Sequence, residues 1–302
     1  MGRKFLLRTC LALTALLAAA FDEPQEKLYK PIPQDFFRAP SAERLAEIRR
    51  EEAARPKPGR NPDGTTLTYT RSNQNGTRSE RIYVHVISAT ELHVAKMVER
   101  CTDAAYVTAV FDRATKEATR LVGGRLKRDG TQDPQAFLDF DPKTRKLSIR
   151  LGDPKAAPNE TLAAPPAPWR MYDFDFAEFA LFGAGEAPGT TTRKFTDFSF
   201  GLVMAWPDGS SPLVRKLGRA RAELIVHSKQ PIFAVSGEPF GSGGGGVIKF
   251  DPNRGHVVEA DLSLPNHPGY EDFHLALDAF NEKDGKQVWR DALAAHWKDC
   301  PA

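Results

Sequence analysis

The sequence predicts a mainly β protein: a large, curved antiparallel sheet, a half-open barrel or meander, with short helices at its N- and C-terminal ends. Three observations carry this expectation. From Thr65 onward apolar and polar residues alternate with period two through one segment after another. Asn75-Gly76 separates two such segments and suits the left-handed central positions of a tight hairpin. Turn chemistry recurs between the others, as in Asn61-Pro62-Asp63-Gly64 and Pro207-Asp208-Gly209.

The N-terminal segment reads as an export signal. Arg3, Lys4 and Arg8 precede an apolar or small-residue run from Cys10 to Ala20, and Ala18 and Ala20 stand in A-x-A positions. The run is 11 residues, short of the roughly 20 that span a bilayer as a helix. Residues 1–20 are therefore read as a signal peptide cleaved near Ala20. The expected product is exported to the periplasm or the exterior, with no transmembrane span.

Residues 21–64 read as an extended arm, with Pro24, Pro31, Pro33 and Pro40 breaking any periodicity. Within it, Ser41 offers an N-cap for a short charged helix to about Ala54, which Pro56 and Pro58 end. Residues 65–302 read as the β-rich domain. Expected strands include Ile82–Ile87, Leu92–Val98, Tyr106–Phe111, Thr119–Leu126, Ala136–Phe140 and Leu147–Leu151. Residues 153–168, rich in Pro and Ala, are a candidate internal division or crossover. Strands then resume at Phe195–Trp206, Leu213–Val226, Ile232–Val235, Val247–Phe250, Val257–Leu264 and Phe273–Leu277. A helix near Lys286–Lys298 presents Trp289, Leu293 and Trp297 as one apolar stripe.

Charge excludes one broad class. The chain holds 42 Lys+Arg and 39 Asp+Glu, and removing residues 1–20 takes three basic residues and no acidic one, leaving 39 of each. A balanced surface lacks the basic footprint a nucleic-acid binder needs. The same cleavage reduces three cysteines to Cys101 and Cys300. In an oxidising compartment these read as one disulfide, the alternative being two free thiols.

Several motifs invite chemistry and have plainer readings. Phe111-Asp112, Phe140-Asp141-Pro142 and Phe250-Asp251-Pro252 form a weak repeat whose carboxylates are expected to cap turns. His85 and His93 would face each other across a hairpin, but no third ligand is visible, so no metal site is assigned. His256, His267 and His274 lie near Glu259, Asp261 and Asp272 without a ligand spacing. The loop Gly241-Ser242-Gly243 to Gly246 precedes a strand, so it is read as a hairpin tip and not as a phosphate cradle. No nucleophile elbow or zinc-protease motif occurs, and neither catalytic residues nor a cofactor are assigned.

The richest aromatic stretch runs from Trp169 to Phe179. As a strand it would place Tyr172, Phe174 and Phe176 on one face and Asp173 and Asp175 on the other. Trp169, Tyr172, Phe174 and Phe176 are the candidate ligand-lining residues. From Thr65 to Leu277 the strand layout behind an export signal resembles periplasmic lipoprotein carriers of the LolA/LolB type and secreted proteins of that shape. The resemblance lies in layout and in no motif, so it transfers no functional residues. It implies a non-enzymatic envelope protein that binds a lipid, another apolar ligand or an envelope partner on a concave sheet. The alternatives are a structural or assembly factor and a hydrolase with a scattered site.

Overall fold

A computed structural model describes residues 61–183, 195–205, 212–226 and 230–301, together with Glu43. The expected signal peptide lies outside the described residues, as does the Ser41–Ala54 helix apart from Glu43.

The alternating segments form strands in the expected order. β1 (Thr66–Ser72), β2 (Glu80–Ser88), β3 (Glu91–Met97) and β4 (Ala105–Phe111) come first. β5 (Ala118–Leu126), β6 (Gln132–Asp141), β7 (Lys146–Leu151) and β8 (Glu160–Ala163) continue the run. After β9 (Trp169–Met171) come β10 (Phe198–Ala205), β11 (Val214–Val226) and β12 (Ile232–Gly237). β13 (Gly246–Phe250), β14 (Val257–Leu262) and β15 (Phe273–Asn281) complete it.

All 15 strands of the described residues belong to one sheet. Each strand from β1 to β8 pairs antiparallel with the next, and so does each from β10 to β15. β15 returns to pair with β1, while β9 lies parallel to β10. This order is a meander whose first and last strands meet, interrupted between β8 and β9. The sheet is therefore not closed, and β8 and β9 are its two edges. Residues 164–168 connect those edges, so the Pro-rich segment sits where the ring of ladders is broken. Proline suits that place because it has no N–H to donate to a ladder.

Side chains hold the break. Arg145 Nη1 and Nη2 donate to the two Glu117 carboxylate oxygens at 3.0 Å each. Glu117 Oε1 also accepts the Trp169 N–H at 3.2 Å, and Glu160 Oε2 accepts the Leu213 N–H at 2.7 Å.

The turn carboxylates act as the repeat predicts. Asp112 Oδ1 accepts the N–H groups of Ala114 and Thr115, Asp141 Oδ1 that of Lys143, and Asp251 Oδ1 that of Asn253. The glycine loop joins the antiparallel pair β12 and β13 as a hairpin tip. Nothing approaches a Cβ at Gly241 or Gly243, whereas at Gly246, where β13 begins with φ of 153°, one would stand 1.8 Å from the Asp261 carbonyl oxygen.

One face of the sheet carries the main core. Leu67 and Tyr69 of β1, Ile82, Val84 and Val86 of β2, and Phe233, Phe250 and Phe273 further round the sheet all lie in it. Residues on both sides of 153–168 contribute to this one cluster. The opposite face of β2–β4 carries a smaller cluster covered by a C-terminal helix. Two helices are described, α1 (Phe179–Phe182) and α2 (Gly285–Trp297). α2 is the expected C-terminal helix, whereas α1 lies mid-chain. Trp289 and Leu293 of α2 are buried with Ala95, Met97 and Tyr106, and Trp297 packs at the margin.

Close approach and covalent linkage fix α2. A Cβ at Gly285 would meet the Gly64 carbonyl oxygen at 2.3 Å, so only glycine brings the helix start this near to β1. At the other end Cys101 and Cys300 form the disulfide across 199 positions, with a Cα–Cα distance of 5.4 Å. No helix among the described residues is long and apolar enough to cross a membrane.

Candidate functional site

The aromatic stretch is not the strand that its alternation suggests. Only Trp169–Met171 is extended, as β9. Tyr172–Phe174 forms a 3-10 turn, and Asp175 and Phe176 both have positive φ, 55° and 56°. The chain doubles back into α1 and becomes a plug on the core face of the sheet. Asn61 Nδ2 donates to the Ala180 carbonyl at 2.7 Å and anchors it. A strand's two-faced pattern fails here because the sheet surrounds this segment, so both sides of it are buried.

Trp169, Tyr172, Phe174 and Phe176 are consequently all core residues. Tyr172 packs on Phe176 and Phe273, with ring centroids 5.5 and 5.7 Å away. Phe176 also meets Phe200 edge to face. Trp169 meets Phe140 in the same way. Of the four, Phe174 lines a cavity.

That cavity, about 90 Å³ and partly open, exists because small residues occupy one row of the inner face. Val107 of β4, Gly123 of β5 and Ala136 of β6 are cross-strand neighbours in register. The adjacent row, Leu121, Leu138 and Ile149, is bulky and forms a wall. Met171, Phe174 and Ala205 complete the apolar lining. Asp173 is its single polar residue among the described residues. Asp173 Oδ1 accepts the Ala205 N–H at 3.2 Å. Burial pushes its carboxyl up to about 6, against the pull of nearby Lys96.

Beside the cavity lies a buried charged cluster that sequence reasoning missed. On β1 the core-facing series Leu67, Tyr69 ends in Arg71. On β2 the series Val84, Ile82 ends in Glu80, and on β3 Leu92, Val94 ends in Lys96. A charge at an apolar parity is the signal that could have found them. Arg71 forms an ion pair with Glu80 and donates to Asn266 Oδ1 and His267 Nδ1, both at 2.6 Å. The Tyr270 ring covers its guanidinium, 4.0 Å away. Lys96 Nζ stands 2.5 Å from Asp175 Oδ2 and donates to the Asp173 carbonyl. Asn266 Nδ2 donates to Asp175 Oδ1 at 2.6 Å.

The cluster's electrostatics follow from burial and proximity. Burial pushes the Asp175 carboxyl up, but Lys96 and Arg71 outweigh it and hold the group below its ordinary value. Burial and then the same two cations drive His267 well below the usual imidazole range, so it is neutral and accepts from Arg71. The network ties β1, β2 and β3 to the plug and to the loop after β14.

The remaining histidines take separate roles. His85 and His93 do face each other in register. His85 Nδ1 bonds to Thr66 Oγ1 and its ring stacks on Trp289, while His93 bonds to Tyr106 and Glu91. Burial, then His93, lowers His85 to about 4. His256 stacks on Phe280 and His274 bonds to Asp261, leaving His267 as the one of its trio in the charged cluster. No group of three or more His, Cys, Asp or Glu side chains placed to hold a metal occurs among the described residues.

No protein-family model matches the chain, and no curated protein matches it at a significant level. Its candidate site is therefore defined by its own geometry: an apolar cavity on the core face of an open sheet, bounded by one carboxyl.

Proposed function

We propose that this is an exported, non-enzymatic envelope protein that binds an apolar ligand, or an apolar group of an envelope partner, on the core face of its sheet. The observation that carries the reading is the cavity. Its lining is apolar but for Asp173, and it arises where Gly123 and Ala136 replace the bulky residues of the neighbouring row. Pockets that bind small molecules share this composition, an apolar wall with few placed polar groups. The Arg3–Ala20 segment and the disulfide support export, since disulfides persist in oxidising compartments. With about 90 Å³ of space, the site as it stands suits a short alkyl or branched group, such as one end of a lipid chain.

The plug supports a second reading. Residues 169–182 fill much of the core face, and β8 pairs through one side only, with β7. A filled face with an open strand edge suits an assembly factor that adds a partner strand.

Native mass spectrometry of the protein released gently from its own envelope separates the two. A bound small apolar molecule, lost on Gly123→Val, supports the ligand reading. Ligand-free protein that instead carries a second polypeptide overturns it in favour of the assembly reading.

A further inference from the structure

Resting on the ligand reading above, we infer that the cavity selects apolar ligands bearing a protonated amine, which the Asp173 carboxylate receives. Two independent observations support it. Among the described residues Asp173 is the only polar one in the lining, so its carboxyl is the one charged group the lining can offer a ligand's head group. The cations beside it are also turned to other carboxylates, Arg170 to Glu178 among them. Lys96 is engaged by Asp175 at 2.5 Å, and Arg71 by Glu80. Lys96 touches Asp173 through its backbone carbonyl, and no side-chain cation forms an ion pair with the Asp173 carboxylate among the described residues. A carboxylate with no ion-pair partner among the described residues thus belongs to a residue of the cavity lining.

A carboxylate in apolar surroundings gains most from a ligand that brings its own cation. Hydrogen bonds with an ionised partner are about twice as strong as neutral ones, and low local dielectric strengthens them further. A ligand carboxylate would be repelled. An alcohol would form a hydrogen bond without neutralising the charge.

The test uses hexylamine, hexan-1-ol and hexanoate at pH 7.5, read from the methyl NMR signals of Leu121, Leu138 and Ile149. The expected result is binding of hexylamine at least about tenfold tighter than hexan-1-ol, with hexanoate weakest. In Asp173→Asn, whose Oδ1 still accepts from Ala205, the ratio should fall below about threefold while hexan-1-ol binding persists. Should that variant fail to fold, the wild-type ratio decides alone. Equal binding of amine and alcohol overturns the amine preference and leaves the apolar reading standing. If none of the three moves these methyl signals, both readings fall.

Discussion

Glu117 and Arg145 meet through two parallel hydrogen bonds of 3.0 Å, one to each carboxylate oxygen, beside the one place where the circuit of strand ladders is interrupted. Glu117 belongs to the β4–β5 turn and Arg145 to the β6–β7 turn. Arg145 also donates to the Pro165 carbonyl, and Glu117 receives the first N–H of β9. A bidentate ion pair thereby supplies the directional links that backbone bonding does not supply between β8 and β9.

Truncating the buried partner should expose that role. Glu117 is fully buried and Arg145 is partly exposed. Glu117→Ala removes the acceptor for both the guanidinium and the Trp169 N–H, and should cost about 2–4 kcal/mol. Glu117→Gln retains an acceptor and should cost roughly half as much. Urea unfolding gives the comparison through midpoints at a constant slope. Alanine and wild type agreeing within about 0.5 kcal/mol would remove the pair's claim to hold the break.

Filling the cavity should stabilise the ligand-free protein. Gly123 has room for a side chain, since its Cβ would meet only the Ala136 Cβ, at 3.9 Å. The cavity volume of about 90 Å³, at about 24 cal/mol per Å³, sets a ceiling near 2 kcal/mol. Gly123→Val fills part of it and replaces glycine in a strand, so a gain of about 1 kcal/mol is expected, or roughly 2–4 °C in Tm. Calorimetry checks this; a lowered Tm would mean that the row has no space to give.

Stability should fall as pH rises through neutrality, and Glu178 is the main reason. It is buried 3.7 Å from Arg170, its nearest cation among the described residues. Burial raises it from 4.5 to about 7, against the pull of Arg170 and with Asp175 and Asp173 adding to the rise. The folded state therefore holds a proton that the unfolded state has released. That contribution is complete below about 4.5 and is lost as pH passes about 7, a change of about 3 kcal/mol. Asp173, at about 6, acts with the same sign. His85, lowered to about 4, acts oppositely, and its contribution is lost as pH falls from 6.5. Glu178→Gln should flatten the decline between pH 5 and 8 in denaturant titrations. An unchanged slope would place the titrating group elsewhere.

Reducing the disulfide should loosen the α2 end of the molecule. A loop of 199 positions corresponds to about 5 kcal/mol in the chain-entropy model, and measured losses run about 2–5. Hydrogen exchange on Cys101→Ser/Cys300→Ser should rise first in α2. There the Cys101 N–H donates to the His296 carbonyl, and His296 Nε2 bonds to the Thr102 carbonyl. Unchanged protection would show that the buried Trp289 and Leu293 hold the helix without help.

Period-two alternation determined nearly every strand, because one side of each strand meets a core and the other does not. Cysteine count was enough to pair Cys101 with Cys300, and Asp-Pro turns were legible because their hydrogen bonds are local. Local pattern failed from Glu160 to Phe182. There prolines hid two edge strands, and an apparent strand folded into a plug buried on all sides, which removes the contrast that alternation records. The inward charges Arg71, Glu80 and Lys96 were visible as breaks in apolar parity. Their partners Asp175, Asn266 and His267 were not, since they lie about 80 to 195 positions away along the chain. The cavity depends on register, for Gly123 and Ala136 open space only when set side by side next to Asp173. Sequence determined which residues face inward; tertiary structure decided what they face, because burial and charge pairing arise between segments that no local pattern connects.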